Sequence, residues 1–142
     1  HIEDPHNFGA IIRSCEAFGV DAIIIPNDRS VDITGTVVKA SVGTIEKVKI
    51  IKVTNLNNTI KKLKDYGYWV VGTDMEGTVY TDIDYKMKTA LIIGNEGKGI
   101  SRLVSENCDY LAKIPMSGTV NSLNASVACG IFLAEINRSR GV

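Results

Sequence analysis

Three stretches of this sequence concentrate polar residues where a loop runs into a helix. The first reads Asp4-Pro5-His6-Asn7-Phe8-Gly9-Ala10-Ile11-Ile12-Arg13-Ser14. Pro5 biases Asp4 away from helix and marks a turn. Asn7 can cap the helix that follows. Arg13 projects from the same helix nearly two turns on. Taken alone, the pair reads as a cap and a surface charge. The second stretch, Ile92-Ile93-Gly94-Asn95-Glu96-Gly97-Lys98-Gly99-Ile100-Ser101, follows an apolar run and precedes a helical one. Its glycines allow backbone to approach a ligand closely, as nucleotide-binding strand–loop–helix junctions do. It is neither a P-loop nor a dinucleotide fingerprint. Lys98 is followed by Gly99 where a P-loop has Ser or Thr, and Glu96 would repel a triphosphate. A neutral or cationic ligand such as a sulfonium fits this loop better. The third stretch, Ile114-Pro115-Met116-Ser117-Gly118-Thr119-Val120-Asn121-Ser122-Leu123-Asn124-Ala125-Ser126, leads into an apolar helix. Ser122 and Asn124 offer donors and acceptors beside Met116 and Leu123. That mixture suits a small organic ligand with an adenine ring. It also suits a plain capped helix start.

Other reactive residue types fall outside these stretches or carry less. Cys15, Cys108 and Cys129 are an odd, widely spaced set. They show neither a disulfide framework nor a zinc pattern, and read as reduced thiols of a cytosolic protein. Cys15 and Cys129 lie on helical patterns as small core residues. His6 titrates in a useful range. The Tyr and Trp residues are scattered, without the stacking platform of an RNA-recognition motif.

The elements that must position these stretches follow from hydrophobic patterning. Ala22–Ile25, Val48–Val53, Tyr68–Val71, Ala90–Ile93 and Tyr110–Ile114 are short runs rich in Val, Ile and Leu, most closed by a turn former. Continuous runs of this kind suit strands buried on both faces of a parallel sheet. Helical patterns lie between them over Phe8–Phe18, Leu56–Tyr66 and a short segment from Ser101 to Asn107, and a last helix runs from about Ser122 to Arg138. In the Leu56–Tyr66 helix, Leu56, Ile60 and Leu63 share a face opposite Lys61, Lys62 and Lys64. Asp28–Thr36 and Glu76–Lys88 read as loops. The alternation predicts an α/β fold with a mainly parallel sheet flanked by helices. The last helix has almost no polar face, so it must be covered on all sides, as the core of the domain or at a subunit interface.

Composition sets the outer limits. The 142 residues form one domain of ordinary globular composition, 44% hydrophobic and 23% charged. Sixteen basic residues balance sixteen acidic ones. RNA affinity through bulk charge alone is therefore not expected, and any such affinity needs a local patch, a second subunit or a further module. No apolar run is long enough to span a membrane, and the expected location is cytoplasmic.

Together and in this order, the three stretches resemble the sequence motifs of the SpoU/TrmH family within the SPOUT superfamily. The resemblance runs from Glu3 to Arg138 and looks closest to the bacterial subgroup that methylates a guanosine ribose in 23S rRNA. It implies a fold with a C-terminal deep trefoil knot, an exception to the rule against threaded chains. It implies a homodimer, S-adenosylmethionine as methyl donor, no metal, and an RNA ribose 2′-hydroxyl as acceptor, in rRNA before tRNA. Asn7, Arg13, Glu96, Ser122 and Asn124 fall on the family's functional positions. Gly94, Ile114 and Leu123 fall on its donor contacts, with Thr73 and Met116 nearby. A guanidinium stays charged at ordinary pH, so Arg13 is expected to clamp a phosphate and stabilise a developing alkoxide. His6 falls at a variable position of the motif. Residues 1–142 correspond to the catalytic domain; the strand and RNA-binding domain that often precede it are not in this sequence. Two other readings stay open: a tRNA ribose methyltransferase, and a non-catalytic RNA-binding module that keeps the knot. The second would be expected to lack Asn7, Arg13 or Glu96, and all three are present.

Overall fold

The computed structural model describes residues 5–27, 35–39, 47–94, 99–120 and 122–142, with backbone alone at 5, 6 and 35–39. The first helix, α1 (Pro5–Ala17), starts ahead of the expected Phe8. Proline suits the first helical position, where its missing N–H needs no partner. Asn7 therefore lies inside the first turn and is buried, instead of capping the helix from outside. Gly19 ends the turn after α1 with φ +72°, a backbone state that favours glycine.

The strands are β1 (Ala22–Pro26), β2 (Gly35–Lys39), β3 (Lys49–Val53), β4 (Trp69–Val79), β5 (Thr89–Ile93) and β6 (Tyr110–Lys113). They form one sheet in the order β3-β1-β2-β5-β4-β6. The pairs β1–β3, β4–β5 and β4–β6 are parallel, while β2 runs antiparallel to both β1 and β5. The sheet is thus mainly parallel, with one reversed strand in its middle. That strand falls partly within the expected Asp28–Thr36 loop. Every residue of β5 is buried, as its continuous apolar run requires.

The pleat divides the core between two faces. Val71, Leu91 and Ile93 point to the layer formed by α1 and α4 (Ala125–Ser139), where Cys15, Cys129 and Phe132 are buried. Val70, Ala90 and Ile92 point to the layer formed by α2 (Leu56–Asp65) and α3 (Arg102–Glu106). Ile60 of α2 is fully buried there, a contribution of roughly 1.5–3 kcal/mol for a large aliphatic side chain. Helix starts follow local chemistry. The Asn55 side chain accepts the Asn58 N–H at 3.1 Å, and Ser101 Oγ accepts the Val104 N–H at 3.2 Å. The last helix starts at Ala125, later than the expected Ser122, because Asn124 caps it by accepting the Ser126 N–H at 2.9 Å.

One departure from regularity matters for the site. β4 pairs Thr73 with Ala112, leaves the ladder over residues 74–77, and returns to pair Thr78 with Ala112 and Val79 with Lys113. A Cβ at Gly77 would run into the backbone of Leu111 and Ala112, so only glycine permits this return. The first part of the expected Glu76–Lys88 loop is consequently strand, followed by a single 3-10 turn, Tyr80–Asp82. Asp109 Oδ2 accepts the Val70 N–H at 2.8 Å and fixes the start of β6 beside β4. Residues 95–98 and 121, on the segments where the knot is expected, lie outside the described residues. No helix among the described residues is long and apolar enough to cross a membrane.

Candidate active site

The parallel strands β5, β4 and β6 end side by side at Ile93, at Thr73 before the excursion, and at Lys113. A cavity of about 320 Å³ opens at these ends. Carboxyl ends of parallel strands are where open α/β sheets bind ligands, and the volume suits a small molecule, for which pockets run from roughly 300 Å³ upward. The floor is formed by Ile93 and Ala112, and one wall by α4. Ala125, Ala128 and Phe132 are spaced at three and four residues, which puts them on one helical face. Phe132 is held in place by an edge-on contact with Tyr80, ring centroids 5.6 Å apart.

All five expected donor-contact residues, Thr73, Gly94, Ile114, Met116 and Leu123, line this cavity, and so does Ser122. Thr73 is anchored by its hydroxyl, which donates to the Ile92 carbonyl at 3.4 Å across the strand pair. Gly94 is a glycine for a reason beyond ligand approach. A Cβ there would stand 2.6 Å from the Gly99 carbonyl carbon and 2.8 Å from the Ile100 nitrogen. The returning arm of the glycine loop packs directly on Gly94. A side chain at 94 would therefore displace backbone.

The other expected catalytic positions are distributed differently. Asn7 is buried within α1, and Arg13 is exposed on the same helix; neither lines the cavity. Asn124 is exposed, its carboxamide oxygen engaged with the Ser126 N–H and hydroxyl. Glu96 lies outside the described residues. The structure also brings in residues that sequence reasoning did not single out, chiefly Ile100, Ala112, Phe132 and the charged pair Asp74 and Lys113. Asp74 adjoins Thr73, but only the strand pairing reveals that Lys113 stands at the same end.

The cysteines offer no nucleophile. Cys15 and Cys129 meet in the seam between α1 and α4, both fully buried. A hydrogen bond to Cys129, together with burial, holds the Cys15 thiol far above the usual thiol range. Burial pushes Cys108 up to about 11. Among the described residues, no group of three or more His, Cys, Asp or Glu is placed to hold a metal ion.

A layered α/β sheet with a cavity of small-molecule size at its parallel strand ends defines the class as an α/β domain. The chain belongs to the SpoU rRNA Methylase family, whose pattern it matches over residues 1–134. It is similar to a Staphylococcus saprophyticus protein assigned to the TrmH family of tRNA/rRNA methyltransferases, 54% identical over 140 residues. That match covers 98% of this chain and 56% of the relative, so the chain spans little more than half of that relative's length. Among solved structures, the Aquifex aeolicus TrmH/SpoU tRNA modifying enzyme superposes with a TM-score of 0.82 at 33% identity, over 99% of this chain and 72% of that one. The SpoU methyltransferase AviRb of Streptomyces viridochromogenes, in complex with the cofactor AdoMet, gives 0.76 at 27% identity, over 96% and 56%.

Proposed function

We propose that this domain transfers a methyl group from S-adenosylmethionine to a ribose 2′-hydroxyl in RNA, with a guanosine of 23S rRNA as the acceptor. The observation that carries this reading is the convergence of Thr73, Gly94, Ile114, Met116, Leu123 and Ser122 on one cavity at the strand ends. The cavity fits such a donor: apolar side chains can flank an adenine, and backbone at Gly94 and Gly99 offers polar atoms close by. When bound, the donor supplies a methyl group already activated on a sulfonium, so alignment and proton removal are what the chain must provide. Arg13 clamps an RNA phosphate and stabilises negative charge developing on the ribose oxygen. Asn7, Ser122 and Asn124 orient Arg13 and the ribose, and Glu96 anchors the glycine loop or positions Arg13.

The active unit is a homodimer in which Arg13 of one subunit faces the donor cavity of the other. The exposure of Arg13, away from its own chain's cavity, supports this. Three cysteines without a disulfide, two of them buried, fit a reducing cytoplasm. A tRNA ribose is the second reading, favoured by the likeness to the Aquifex aeolicus tRNA modifying enzyme; mapping the nucleotide labelled in separate rRNA and tRNA pools separates the two.

Titration calorimetry in a chelating buffer tests the donor assignment. The chain is expected to bind S-adenosylmethionine. Ala128→Leu, which adds bulk on the cavity face of α4, is expected to weaken binding by at least about tenfold. No heat of binding at millimolar donor would overturn the reading.

A further inference from the structure

We infer that Asp74 and Lys113 hold the amino-acid end of the donor, Asp74 receiving its ammonium and Lys113 its carboxylate. The inference rests on the donor assignment just made. Among the described residues lining the cavity, these two alone carry charge; most of the rest are apolar or glycine. They stand at the ends of neighbouring strands. Asp74 opens the excursion of β4, and Lys113 closes β6 in register with Val79, where β4 returns. The excursion thus sets an anion and a cation at the same mouth of one cavity.

Both side chains are partly buried, so their fields are less screened than those of fully exposed groups. No ion pair joins them to each other or to another described residue. The Asp74 carboxylate is already oriented, because its Oδ1 accepts the Glu76 N–H at 2.8 Å. S-adenosylmethionine carries one ammonium and one carboxylate on a single carbon, joined by a flexible chain to an apolar-faced adenosine. A mainly apolar cavity with one anion and one cation at its rim matches that distribution. The same arrangement disfavours adenosine compounds that lack the amino acid, and Asp74 opposes phosphates.

Four thioethers separate the two contacts: S-adenosylhomocysteine, its decarboxylated amine, its deaminated acid, and methylthioadenosine, which lacks both groups. Each is titrated calorimetrically into the unmodified chain, Asp74→Asn and Lys113→Met. Asparagine keeps the oxygen that accepts the Glu76 N–H, so the turn is retained. Asp74→Asn is expected to lose roughly tenfold in affinity for S-adenosylhomocysteine and the amine, a loss typical of one charge-assisted hydrogen bond. Its affinity for the acid and for methylthioadenosine is expected to be unchanged. Lys113→Met is expected to show the converse, losing S-adenosylhomocysteine and the acid alone. Equal loss for methylthioadenosine would make these residues mere wall, and undiminished affinity for S-adenosylhomocysteine in either variant would remove the contact; either result overturns the inference while leaving the donor assignment intact. If the unmodified chain binds none of the four, the donor assignment itself falls, and this inference with it.

Discussion

Arg13 is exposed on α1, while the residues around the cavity come from β4, β5, β6, α4 and the segments joining them. Substrate chemistry and donor binding are therefore expected to separate on mutation. Arg13→Ala should lower methylation of RNA by roughly 10²–10³-fold, as removal of an oxyanion-stabilising group does, and leave donor affinity where it was. Arg13→Lys should also be poor, because an ammonium lacks the planar fork of a guanidinium. Single-turnover methylation read beside calorimetry decides it; a parallel loss of donor affinity would move Arg13 into the donor site. At this scale the sequence is informative where a residue acts within its own segment. Ser101 as a cap and Ile60 as the buried position of a lysine-rich helix are both visible in local spacing. Asp74 and Lys113 are not, because neither belongs to a local pattern: the pairing of β4 with β6 brings them to one cavity.

Among the elements, the end of β5 is held by packing of backbone on backbone, Gly94 against Gly99 and Ile100. Gly94→Ala is expected to lower the thermal midpoint by several degrees, since displacing Gly99 and Ile100 costs about 1–3 kcal/mol. Circular dichroism melts measure this directly. A variant that melts like the unmodified chain yet fails to bind donor would mean that Gly94 faces the ligand alone. The same contrast explains which elements are legible in the sequence. β1 and β5 announce themselves as apolar runs because their residues lie in or beside the core. β3 reads as a run through Ile50, Ile51 and Val53, although Ile50 and Ile51 are exposed, and β6 buries Ala112 alone. β2 does not read as a run: Gly35–Lys39 mixes glycine, threonine and lysine with two valines, and the neighbouring strands β1 and β5 supply its ladder. The second part of β4 reads as a loop for a related reason. Asp74, Glu76 and Gly77 have weak strand preference, and pairing with β6 overrides it at Thr78 and Val79.

For the whole molecule, the outer surfaces of α1 and α4 matter most. These helices pack on each other, yet Gly9 and Ala10 on one and Val127 and Ala134 on the other remain exposed. Small and apolar residues on adjoining helices allow close approach of a second chain, where their burial would favour association. Sedimentation at micromolar concentration should therefore give twice the chain mass of 15.4 kDa. A clean monomer would sink the dimer. Mixing Arg13→Ala chains with Ala128→Leu chains should restore part of the activity if each site draws on two chains, and none if each chain works alone. A further consequence lies in the cavity wall. Ile93, Ala112, Ala125 and Phe132 belong to the hydrophobic core and also line the cavity. A molecule entering there becomes part of the interior that keeps the chain folded. Affinity and fold stability are then written in the same side chains, and selection cannot adjust one without moving the other.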